Sequence, residues 1–163
     1  NTIRQLKGEE VREEFDPEIH LPVVALLPHE YVPDTGQRLQ VYRRLSTSGR
    51  AEDVEAIREE LQDVFGSLPR ETRNLLEVMH IRVLLKKLFI RKLDVVDSSV
   101  MLFFDATTPV SPADLVEMTS REPVKYRWLS GQKLMVHIGG ADSEKMLEII
   151  KKILNQIAQY VTH

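Results

Sequence analysis

Apolar positions along the chain change their period at residue 88, and that change divides the sequence in two. Residues 1–18, NTIRQLKGEEVREEFDPE, are polar with scattered apolar positions and read as the tail of a preceding helix and a linker. IHLPVVALLP follows. Pro22 and Pro28 restrict it to an edge strand or an extended arm, since proline cannot donate to a central ladder. Asp34 is a suitable N-cap for a helix to about Thr47, with Leu39, Val41, Tyr42 and Leu45 as its apolar positions. After a break at Ser46 to Gly49, Val54, Ile57, Leu61, Val64 and Phe65 recur at three- and four-residue steps and predict a second helix from Ala51 to Phe65. Gly66 supplies its stop and Pro69 suits the first turn of a third helix. That helix, to about Leu88, is apolar nearly all round, so it is expected at the centre of the fold.

Beyond Leu88 the period shortens to that of strands. KLDVV and VMLFFDA are β-branched or aromatic runs separated by the turn residues Asp97 to Ser99. Ser111-Pro112-Ala113-Asp114 gives a cap, an N1 proline and an acid at N3, predicting a helix to about Thr119. VKYRWL and KLMVHI flank Ser130-Gly131 as a second hairpin. Asp142 caps a last helix to about Tyr160, whose stripe is Leu147, Ile150, Leu154, Ile157 and Val161. The expected fold class is α+β: an N-terminal helical half, with three helices after an extended arm, then a ββαββα half with a small, mostly antiparallel sheet.

Composition adds bounds to this outline. The chain has 163 residues, 42% hydrophobic and 29% charged, which is a globular composition with length for one domain plus a short segment. A net charge of −3 argues against a general nucleic-acid binder, though not against a local basic patch. Cysteine is absent, which removes disulfides, thiolate ligands and a thiol nucleophile and fits a reducing cytoplasm. No apolar run approaches the roughly 20 residues needed to span a bilayer. The chain begins at Asn1 rather than Met, and we read it as a piece of a longer protein.

Candidate chemistry is sparse. There is no GxxxxGK[ST] phosphate loop and no GxGxxG. Gly139-Gly140 reads as a strand-to-helix corner. The five histidines lack metal spacing; His29-Glu30 starts like HExxH, but Pro33 prevents the helix that motif requires. His80, on the apolar third helix, reads as a core or boundary histidine. His29, Glu30 and Asp34 form a weak acid–base set with no recognisable nucleophile. Lys125, Tyr126, Arg127 and Trp128 alternate as a strand with one packed and one solvated face. Two charged features stand out. Arg82, Lys86, Lys87, Arg91 and Lys92 cluster at the end of the third helix, either complementing its dipole or contacting phosphates. The second helix carries Glu52, Glu55, Glu59, Glu60 and Asp63 away from its apolar stripe, with only Arg58 nearby to offset them. This is either a solvated acidic face or a docking surface offering carboxylates to arginines.

LP-x-x-YVPD-x-x-x-RL-x-x-YRRL, then a charged helix ending ELQDVFGSLP and a long helix with LLEV and KKL, resembles the C-terminal domain of the bacterial transcription-repair coupling factors. The likeness covers roughly residues 20–160. It is carried by Tyr31, Pro33, Asp34, Arg38, Leu39, Tyr42, Arg44, Phe65, Gly66 and Pro69. The resemblance implies a parent that is an ATP-dependent DNA translocase, cytoplasmic, with ATP and magnesium acting in a motor upstream. Residues 1–18 would be the connector from that motor and residues 19–163 a regulatory domain with no active site and no cofactor of its own. The parent would displace stalled RNA polymerase from double-stranded DNA and recruit excinuclease A in nucleotide-excision repair. This domain would pack on an N-terminal excinuclease-B-like module, mask the surface that binds excinuclease A and restrain the motor. Glu60 and Asp63, supported by Glu59 and Glu52, occupy positions matching the family's docking carboxylates. The alternative is a DNA-contacting accessory module acting through Arg82, Lys86, Lys87 and Arg91.

Overall fold

The computed structural model describes residues 16–129 and 132–161. Strand β1 (Glu18–His20) leads into an extended arm, followed by helices α1 (Thr35–Ser46), α2 (Ala51–Phe65) and α3 (Arg70–Leu88). Strands β2 (Ile90–Val96) and β3 (Ser99–Phe104), helix α4 (Pro112–Ser120), strands β4 (Tyr126–Leu129) and β5 (Lys133–His137) and helix α5 (Ser143–Ala158) complete the order. This is the expected α+β arrangement. Of the expected connector only Asp16, Pro17 and Glu18 fall among the described residues, and the turn at Ser130-Gly131 lies outside them.

Local chemistry sets most boundaries. Asp34, Ser111 and Asp142 each accept a backbone N–H three residues on and cap α1, α4 and α5. Asp53 reaches back to the N–H groups of Gly49 and Arg50 (both 3.2 Å) to close the start of α2. Gly66, at φ 90°, ends α2 in a conformation that side chains resist. Pro69 is the N-cap of α3 rather than a member of its first turn. Phe89, in the left-handed region (φ 53°), turns the chain from α3 into β2.

The arm is held because α3 carries buried polar side chains that need acceptors. Thr72 and Asn74 are buried, and they donate to the carbonyls of Leu26 (3.2 Å) and Val24 (3.1 Å). Leu27 N–H donates to the Tyr42 hydroxyl (2.7 Å), and the Tyr31 hydroxyl donates to the Gly66 carbonyl (2.8 Å). Leu39, expected among the apolar positions of α1, is 51% exposed.

α3 is the spine shared by two cores. Leu75 and Leu76 pack with Leu45, Val54, Ile57 and Leu61 of α1 and α2. Ile81, Leu85 and Leu88 pack with the sheet, α4 and α5. The sheet has strand order β1-β2-β3-β5-β4, antiparallel except for the parallel β1–β2 pair. α5 buries Leu147, Ile150, Leu154 and Ile157 as expected, together with Met146 and Ile153.

Candidate functional site

The acidic helix α2 is built with an inner stripe and three further edges of different character. Val54, Ile57 and Leu61 are buried at three- and four-residue steps. Val64, expected in that stripe, is 67% exposed in the last turn of α2 and stays outside the core that takes Val54, Ile57 and Leu61.

The edge toward α1 carries Glu60, which accepts two hydrogen bonds from the Arg44 guanidinium (2.5 and 2.9 Å). That bidentate contact holds the Glu60 carboxyl below the usual carboxylate range and raises Arg44. Arg58 is therefore not the only cation offsetting this face.

The edge toward α3 carries Glu55 and Arg58. His80 Nε2 donates to Glu55 Oε2 (2.5 Å), and Arg58 bridges Glu55 (3.1 Å) and Glu77 (3.1 Å). Glu77 in turn accepts from Lys151 Nζ (2.6 Å), so one chain of charges runs from α2 through α3 to α5. Partial burial pushes the Glu55 carboxyl up. The His80 hydrogen bond and the Arg58 charge outweigh it, and the net shift is downward. His80 is the satisfied boundary histidine the sequence suggested.

The outer edge is different. Glu52, Glu59 and Asp63 are exposed, and steps of seven and four place them on one helix face. None of the three makes an ion pair or side-chain hydrogen bond among the described residues.

The expected basic cluster does not share one surface. The Arg82 side chain is only 13% exposed; it donates to the Ser46 carbonyl (2.7 Å) and pairs with Asp16. Lys86 has an interaction partner and Lys87 is exposed. The β2–β3 register shifts between Ile90 and Lys92, and Arg91 pairs with Asp105 (3.6 Å), which is held low by hydrogen bonds from Thr107 and by that charge. Of the weak acid–base set, Asp34 is used as the α1 cap, while His29 and Glu30 are exposed on the turn before it. No helix among the described residues is long and apolar enough to cross a membrane.

The fold and this surface define an α+β domain with exposed carboxylates along one edge of α2. The TRCF domain family matches residues 21–115, more than half the chain. The chain therefore belongs to the TRCF domain family of the transcription-repair coupling factors. It is 30% identical over 141 residues to the transcription-repair-coupling factor of Haemophilus influenzae, covering 86% of this chain and 12% of that protein. The factor of Escherichia coli is 30% identical over 143 residues, covering 87% and 12%, and that of Myxococcus xanthus 26% over 157 residues, covering 96% and 13%. The chain thus spans about an eighth of the length of these relatives. Its fold matches a crystal structure of the C-terminal domain of transcription-repair coupling factor, with a TM-score of 0.75 and 23% identity over 91% of this chain and 97% of that one.

Proposed function

We propose that this chain is the regulatory docking domain of an ATP-dependent DNA translocase in transcription-coupled repair. Its outer α2 edge packs against arginines of an N-terminal excinuclease-B-like module, masks the surface that recruits excinuclease A and restrains the motor. ATP and magnesium act in that upstream motor. RNA polymerase and double-stranded DNA are reached through the parent, in the cytoplasm. The observation that carries this reading is the contrast on α2: among the described residues Glu52, Glu59 and Asp63 are unpaired on one exposed face, while Glu55 holds Arg58 and Glu60 holds Arg44. Unpaired aligned carboxylates can accept guanidinium groups without first losing an internal partner.

Glu60 engages a partner only by sharing or releasing Arg44, so Asp63 and Glu59 are the primary contacts and Glu60 a secondary one. In the full-length parent, Glu59→Arg with Asp63→Arg is expected to raise basal ATPase and to tighten excinuclease A binding, each several-fold. Unchanged ATPase and unchanged affinity in that double variant would remove the assignment.

A further inference from the structure

The outer face of the sheet carries a second unpartnered surface, of opposite charge. Val100, Leu102, Leu134 and Val136 point to the core beneath α3, α4 and α5, so the alternate residues of β3 and β5 point away from it. Among the described residues no helix packs on that side. Pairing registers place Lys92, Phe103 and Lys133 side by side in one row and Met101, Met135 and Arg127 in the next. The Phe103 ring is half-buried, with Lys92 Nζ 5.1 Å and Lys133 Nζ 5.5 Å from its centroid. Lys92, Lys133 and Arg127 pair with no carboxylate among the described residues, whereas Arg44, Arg58, Arg82, Arg91 and Lys151 each do. Two acids share this face: Glu18 on β1 lies opposite Lys92 and contacts His20 (3.3 Å), and Asp94 on β2 lies opposite Met101, so the positive end of both rows is the one toward β5 and β4.

We propose that this open sheet face binds single-stranded nucleic acid, with a base stacked on Phe103 and phosphates held by Lys92, Lys133 and Arg127. The lysines stand one strand to either side of the ring, roughly 10 Å apart, so a strand crossing the sheet meets a cation, a ring and a cation in order. Moving the ammonium groups from the ring to phosphates uncovers the stacking surface and exchanges a weak cation–π contact for a charged one. Met101 and Met135 extend the flat apolar floor into the second row. A flat face has no element to enter a duplex groove, which favours single strands over duplex. An acidic peptide would use the cations but leave the ring without a role. The site is independent of the α2 docking edge, which lies in the helical half.

The test is fluorescence anisotropy with the 163-residue chain and a labelled oligo-dT of about 15 nucleotides, long enough for one binding platform, titrated across salt. Binding is expected at low salt, at least tenfold tighter than to a duplex of equal length. Phe103→Ala should weaken it by about 5- to 100-fold, the range for loss of one stacked base, and Phe103→Tyr should restore it. Lys133→Ala and Arg127→Ala should each lower the salt slope by about 0.7. Lys92→Glu with Lys133→Glu leaves the ring in place and should abolish binding, and Lys152→Glu on α5 should change nothing. No binding at low salt, retention by the double glutamate variant, equal binding of duplex, or equal binding of poly-glutamate that ignores Phe103→Ala would each overturn the proposal.

Discussion

The two long edges of α2 carry the same residue type under different physics. On the inner edge Glu55 lies against His80 and Arg58, and the charges continue through Glu77 to Lys151 on α5. On the outer edge, two turns further along, Asp63 is exposed and makes no ion pair or side-chain hydrogen bond among the described residues. A carboxylate that completes an internal network contributes to folding and is not free for a partner. One that has no internal contact contributes little to folding and can serve recognition. The acidic composition of the helix is therefore two separate features, one joining the helical half to the sheet half and one facing outward.

The largest break in this comparison comes from the stripe that holds both edges in place. Leu61 is buried at 2% exposure between α1 and α3, and Leu61→Ala should cost about 2–5 kcal/mol by chemical denaturation. It should weaken docking as well, because the outer face loses its support.

Next is the inner edge alone. Glu55→Gln should cost about 1 kcal/mol at neutral pH, discounted for a side chain that is 48% exposed. Its folded carboxyl titrates below the ordinary 4.5, so the unfolded chain takes up the proton first. Its stabilisation is therefore full above about pH 4.5 and is lost as pH falls through the folded value. The gap between wild type and Glu55→Gln, followed by thermal melts, should close in that acidic range. Docking measured at neutral pH should be little changed. A variant that left stability intact but abolished docking would place Glu55 on the recognition surface instead.

The smallest effect belongs to the intermediate case. Glu60 and Arg44 are 55% and 42% exposed, so Glu60→Ala should shift stability by less than about 1 kcal/mol. A double-mutant cycle with Arg44→Ala should show a coupling of a few tenths of a kcal/mol, sensitive to salt.

Much of this organisation is legible along the chain, because it is local. Asp34, Ser111 and Asp142 announce their helices through capping, and α2 ends at Gly66, the glycine that follows its last apolar position. Tyr126 and Trp128 fall on the inner side of β4 and Arg127 on the outer side, as strand alternation requires. What is not legible depends on which element comes to lie beside which. Periodicity places Val64 and Leu39 near apolar stripes but cannot say whether another element covers them, and both are exposed. Arg44 and Glu60 are 16 residues apart, and only the α1–α2 packing brings them together. The grouping Arg82, Lys86, Lys87 and Arg91 looks contiguous in sequence. Its members fall on two elements, α3 and β2, separated by the left-handed turn at Phe89, and the β2–β3 register shifts beside Arg91. Conversely, Lys92, Phe103 and Lys133 become neighbours only through the β2-β3-β5 register.

The proposed docking surface is the outer α2 edge and not the inner network. Its most direct test is calorimetric titration of this 163-residue chain into the isolated excinuclease-B-like module of the same parent. Saturable binding should be lost, by tenfold or more, in Glu59→Arg with Asp63→Arg, and preserved within about twofold in Glu55→Gln. Equal affinity of the double variant and the unaltered chain, or loss confined to Glu55→Gln, would contradict it.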